Sequence, residues 1–141
     1  MASDGGDFAR SMSIATSGLR AQAGRMRVIS ENIANADSAA PTAGGDPYRR
    51  KVPTFTSELD RTLDAKVVAL GKVRPDTSAF RIKHEPSNPA ADTVGNVKYP
   101  NVNPLIEMTD MRDAQRSYEA NLNIISATRR MIQRTLDILK A

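Results

Sequence analysis

Few residues of this chain are of types and spacings that do chemistry. His84 is the single histidine, and it stands beside Glu85 just ahead of Pro86. One imidazole next to one carboxylate suits a general base, but a metal site or a hydrolase triad needs further partners. The chain has no cysteines, which removes thiolate zinc sites, disulfides and a Cys nucleophile together. Thr42-Ala43-Gly44-Gly45-Asp46 lacks the spacing of a phosphate-cradling loop and reads as a turn. The 16 Asp and Glu residues are scattered, without a paired-carboxylate pattern. The residues therefore predict no enzyme, no cofactor and no metal.

A net charge of +4 over 141 residues raises the question of nucleic acid. The excess is spread as +1 over 1–36, +2 over 37–104 and +1 over 105–141. Nucleic-acid binders concentrate basic charge on one face or arm, so the distribution points to a solvated surface and predicts no nucleic-acid partner. No stretch approaches the ~20 consecutive apolar residues of a membrane span, so direct membrane insertion is not expected. Residues 1–7 lack the basic and apolar regions of a cleaved secretory signal; any export is expected to use another route.

With chemistry thinly represented, the architecture carries the information. All eight prolines lie between Pro41 and Pro104. The two ends are thus free of the strongest interior helix breaker. The expected domains are an N-terminal helical segment 1–36, an extended or β-rich middle 37–103, and a C-terminal helical segment 104–141. The fold class is mainly α, with the two terminal helices paired as an antiparallel-type coiled coil.

Phe8, Met12, Ala15, Leu19, Gln22, Met26, Ile29 and Ile33 alternate spacings of four and three, the a/d pattern of a coiled-coil seam. Asp7 is the expected N-cap. Asn35 is the expected left-handed stop. Gly18 and Gly24 fall inside the helix, where each costs roughly 1 kcal/mol against Ala; close approach of a neighbouring backbone would explain them. A flanking row, Ile14, Ala21 and Val28, repeats every seven residues.

Asn103-Pro104 predicts the start of the second helix, with Asn as N-cap and Pro at the first helical position. Its expected seam is Met111, Gln115, Tyr118, Leu122, Ile125, Arg129, Ile132, Leu136 and Leu139. Ile124, Met131 and Ile138 form a second row at sevens. One row satisfies one partner helix, so two rows on each helix point to neighbours beyond the intrachain partner. Stripe burial set against backbone ordering of about 1–2 kcal/mol per residue predicts a marginal isolated hairpin that gains order on assembly. In the middle, 48–52, 55–59, 66–70 and 79–83 read as extended or strand segments, 85–92 as a loop, and 94–97 as a turn.

Two stretches carry a resemblance. Ser17-Gly18-Leu19-Arg20-Ala21-Gln22, the Asn32-Ile33-Ala34-Asn35 turn and Pro47-Tyr48-Arg49-Arg50-Lys51 resemble the N-terminal signature of the flagellar axial proteins (rod, hook and hook-associated). Pro86–Asp92, Gly95–Val102, Glu107–Met111 and Arg116–Asn121 are similar to the rod members of that family. Glu31 stands where the family often has Asn, and Asn96 where an aromatic is common. The resemblance implies export through the flagellar type III apparatus without a cleaved signal, and helical polymerisation into the proximal rod. The rod spans the periplasm within the basal body, surrounds the export channel and transmits torque from motor to hook. Implied partners are other copies, other proximal rod subunits, the export apparatus and the adapter between rod and MS ring. The interface residues expected are Ile14, Val28, Ile124, Met131 and Ile138 facing adjacent subunits, Asn32, Asn35 and Tyr48 shaping the exit from the first helix, and Tyr118, Glu119 and Asn121 as polar contacts on the second. The residues alone also fit a soluble coiled-coil adaptor that binds a partner helix without polymerising.

Overall fold

The computed structural model describes residues 3–141, with side chains from residue 5 onward. Two long helices bracket six short strands: α1 (Ser3–Ala34), β1 (Lys51–Val52), β2 (Phe55–Asp60), β3 (Ala65–Leu70), β4 (Arg74–Pro75), β5 (Arg81–His84), β6 (Asn96–Tyr99) and α2 (Pro104–Lys140). At 1.5 Å per residue the helices are roughly 48 and 56 Å long. α1 begins ahead of the expected cap at Asp7, which instead sits inside the helix and pairs with Arg10 one turn on. α2 starts as the sequence predicts: Asn103 Oδ1 accepts the Leu105 N–H at 3.1 Å, and Pro104 occupies the first helical position.

The end of α1 is also where expected, by a different device. Asn35 does not adopt a left-handed conformation; Asp64 is the only non-glycine with positive φ among the described residues. Its side-chain amide donates instead to Glu31 O at 2.8 Å, and Ser38 N closes the turn on Asn35 O. The Asn35 side chain thus adds a second bond to Glu31 O, which already accepts the Asn35 N–H at 3.1 Å.

α1 and α2 pack against each other. A Cβ placed on Gly18 would lie 2.8 Å from Asn121 Nδ2, and Asn32 Nδ2 donates to Glu107 Oε2 at 3.1 Å.

The described residues fall into two compact units. The first holds α1 up to Met26, the Thr54–Lys72 hairpin and Asp113–Ala141; the second holds Arg27–Pro53 and Val73–Arg112. In the first unit β2 and β3 pair antiparallel from Phe55↔Leu70 to Asp60↔Ala65. Their turn is set by Asp60 Oδ1, which accepts Thr62 N at 2.9 Å, and by Asp64 in the left-handed region at φ 47°. The hairpin meets α1 at Gly24, where a Cβ would lie 2.7 Å from Leu70 Cδ2, and at Ser17, whose Oγ accepts Val68 N at 3.2 Å. Both helix glycines therefore admit a side chain, Asn121 or Leu70, and not the neighbouring backbone the sequence suggested.

In the second unit β1 pairs with β4, and β5 with β6 from Arg81↔Tyr99 to His84↔Asn96. Residues 94–97, expected as a turn, divide in two: Gly95 turns at φ 86° and Asn96 already opens β6. A side chain at Gly95 would need that unfavourable φ and would meet His84 Cε1 and Pro86 Cγ at 3.0 Å. Asp92 Oδ1 accepts the N–H groups of both Val94 and Asn96 at 2.9 Å. Those N–H groups, Asn96 first, hold its carboxyl below the ordinary carboxylate range.

Candidate assembly surfaces and the hub that sets them

The second unit is organised around Asn32, which is fully buried. Its Nδ2 donates to Lys51 O at 2.8 Å and to Glu107 Oε2, while its Oδ1 accepts Tyr48 O–H at 2.8 Å and Lys51 N–H at 2.9 Å. An amide side chain offers two donors and two acceptor lone pairs, and all four are used. Asn32 thus pairs with the Lys51 backbone as a strand would and ties the 48–52 segment to α1. Burial, then the charges of Glu31 and Glu107, push the Tyr48 phenol up to about 12, so it stays a donor to Asn32.

Glu107, also fully buried, takes its charge partner from Arg50, whose Nε donates to Oε1. Arg50 reaches Asp76 at 3.4 Å and Asp110 at 3.8 Å as well. Burial pulls the Arg50 guanidinium down, but the hydrogen bond and charge of Glu107, followed by those of Asp76, outweigh it and hold the group above its ordinary value. Asp76 is held low by the backbone and side chain of Ser78, with Arg50 adding to the effect. Asn101 closes the network, accepting Arg50 N–H at 2.8 Å and donating to Ser78 Oγ at 2.9 Å. Arg49 stacks over Phe80 at 4.2 Å from the ring centroid. The segment leaving α1 and the first turn of α2 are thereby held by one connected polar set.

The seam of α1 is as expected: all eight residues from Phe8 to Ile33 are buried or half-buried. That of α2 differs. Met111, Tyr118, Ile125 and Ile132 are covered, whereas Gln115, Leu122, Arg129, Leu136 and Leu139 are exposed. The second inward column is Glu107, Ala114, Asn121 and Thr128, again at sevens, with Asn121 half-buried and the others buried. Small and polar side chains face inward because a bulky one at 121 could not sit against Gly18, and the 107 position belongs to the polar hub.

Large apolar groups of α2 consequently face outward on both flanks of its contact with α1. Ile124, Met131 and Ile138 (48%, 49% and 75% exposed) lie on one side. Leu122 and Leu136 (45% and 46%) lie on the other. Ile14 is likewise exposed. Val28 and Ala21 are not: both are buried by their own chain. On α1 the face carrying Ser17 and Gly24, with Ala21 between them, is met by β3; Val28, expected to face a neighbour, is 7% exposed. Asn32 is likewise an internal tie and presents no surface, and Tyr48 and Asn35 support the same exit. Asn121 is inward against Gly18, Tyr118 half-buried in the seam, and Glu119 exposed. Arg50, Glu107 and Asn101 carry the hub without having been singled out. The stretch Glu107–Met111 belonged to the family resemblance, and the heptad column 107/114/121/128 was a further signal for Glu107, masked by the more apolar column beside it.

Large apolar side chains of α2 are thus left exposed, and comparison with known proteins gives the family. Residues 12–39 match the flagella basal body rod protein family, and residues 93–138 match the flagellar basal body rod FlgEFG protein C-terminal family. The FlgC basal-body rod protein of Agrobacterium fabrum is 55% identical, over 91% of this chain and 92% of the relative. Those of Bacillus subtilis and Aquifex aeolicus are 37% and 35% identical, covering 92% and 95% of this chain and 97% and 98% of the relatives. The chain belongs to the FlgC family of flagellar basal-body rod proteins. The matched segments coincide with α1 and its exit, and with β6 and α2.

Proposed function

We propose that this chain is a structural subunit of the flagellar basal-body rod. The observation that carries the reading is the exposure of two apolar rows on α2 in a chain similar to rod proteins over nine-tenths of its length. In the proposed assembly, α1 and α2 form the inner layer around an export channel. Ile14, Ile124, Met131 and Ile138 contact adjacent subunits, with Glu119 at the rim. Successive copies pack heterologously, since a head-to-tail contact that does not close gives an open helix. Partners are other copies, other proximal rod subunits, the adapter to the MS ring and the type III export apparatus, with the finished part in the periplasm-spanning rod and torque transmission as its task. Marginal pairing of α1 with α2 in the free chain fits passage through a narrow export route before assembly. The adaptor alternative has no observation in its favour.

The test is imaging and mass spectrometry of isolated basal bodies from cells carrying the gene or lacking it. The expected result is the chain in the rod with α1 and α2 paired, and loss of swimming on deletion. Basal bodies that are complete without the chain would contradict the proposal.

A further inference from the structure

We propose that the last three turns of α2 form a docking surface for anionic lipid, used by the chain before it is incorporated into any assembly. The idea goes beyond the rod reading and does not depend on it. Residues 129–140 carry Arg129, Arg130, Arg134 and Lys140 against a single carboxylate, Asp137. All five are exposed. At 100° per residue, the exposed Met131, Leu136, Ile138 and Leu139 fall within an arc of about 160°, with the half-buried Ile132 between Leu139 and Leu136. Arg134 and Arg130 border that arc on one side and Arg129 and Lys140 on the other, while Gln133 and Asp137 lie opposite and bond each other at 3.1 Å. Cations on both borders of an apolar arc are the arrangement of a helix lying in a membrane interface, where long side chains reach phosphates while the arc enters the acyl boundary.

Burial supports the same reading. Ile138 and Leu139 are 75% and 77% exposed, matched among the described large apolar groups only by Leu105 at 75%. Among the described residues no helix is long and apolar enough to cross a membrane, so the proposed location is the membrane surface. Charge selects lipid over a second copy at this end, because a like end would bring four further cations against these four. The open apolar arc selects lipid over nucleic acid, whose backbone rewards only the cations. Binding to the anionic leaflet would hold free chains at the membrane; the same apolar residues become available to protein neighbours on release.

The experiment is flotation of the purified full-length chain with vesicles of equal parts phosphatidylcholine and phosphatidylglycerol, against vesicles of phosphatidylcholine alone. Binding is expected only to the anionic vesicles, and is expected to fall as salt screens the charges. Replacing Arg129, Arg130 and Arg134 together by Gln should lower it roughly a hundredfold, from the usual contribution per basic residue near such a surface. Leu139→Asp should lower it with no charge removed from the arginines. Replacing Arg20, Arg27 and Lys72 by Gln changes net charge equally and should leave binding intact. Absence of binding to anionic vesicles, equal loss with this second triple variant, or self-association through residues 129–140 without vesicle binding would overturn the proposal. DNA binding of equal strength that ignores Leu139→Asp would also overturn it, since the cations would then serve any polyanion.

Discussion

The two ends of α2 solve opposite problems. Around Glu107 every contact is polar, internal and specific: one buried carboxylate, one buried amide and one guanidinium hold three chain segments together. From Asn121 onward the inward face mixes the short side chains of Asn121 and Thr128 with the half-buried Ile125 and Ile132, and most of the large apolar groups are left outside. The first arrangement fixes a geometry within one chain. The second leaves the apolar surface unspent, so that stability and stickiness are assigned to different stretches of one helix. A chain that must pair its own ends and yet present greasy surface to neighbours needs this division, because a seam of Leu and Ile would leave nothing for the neighbours.

The contrast is broken most severely at the hub. Arg50→Met should leave Glu107 buried without its cation and cost about 3–5 kcal/mol, read as a lowered denaturation midpoint. Asn32→Ala, which removes the acceptor of Lys51 N–H and the donor to Glu107 Oε2, should cost about 1–3 kcal/mol. If both changes prove neutral, the hub does not hold the second unit.

A smaller effect sharpens the account of the seam. Gly18→Leu should cost about 1–3 kcal/mol by overpacking against Asn121. Adding Asn121→Ala should recover part of that loss, a coupling expected only for residues in contact. Additive losses would show that Gly18 is tolerated for another reason.

The smallest effect is a titration. Tyr48 has a folded-state pKa of about 12 against an ordinary 10.0. Its raised value stabilises the fold fully below pH 10, and that contribution disappears as pH rises through about 12, because the unfolded chain releases its proton first. Tyrosinate absorbance should therefore contain a late phase that Tyr48→Phe removes. A Tyr48→Phe chain with the same late phase would exclude Tyr48 as its source.

These contrasts also mark what the sequence could say. Helix ends were legible where a short polar residue or Pro fixes them, as at Asn103-Pro104, and the α1 seam was legible because its apolar period and its buried face coincide. On α2 they do not coincide: Leu122 and Leu136 continue the apolar period, yet Asn121 and Thr128 face inward, because Gly18 leaves room for the Asn121 side chain and not for a bulkier one. The flanking row Ile124, Met131 and Ile138 lies exposed, while Val28 is buried, and no local pattern in the sequence separates the two cases. Asn32 and Tyr48 were marked by the family resemblance. Their partner Arg50 lies 57 residues from Glu107, a separation at which a lone sequence gives no pairing signal.

The most direct measurement of the central claim, that the outward apolar row belongs to neighbours and not to the fold, uses Ile124→Asp and Met131→Asp. Both sites are about half exposed, so each variant should melt as the parent does, to within about 0.5 kcal/mol, and be exported, while failing to enter basal bodies and leaving cells non-motile. Variants that swim and incorporate normally, or that unfold in isolation, would contradict it.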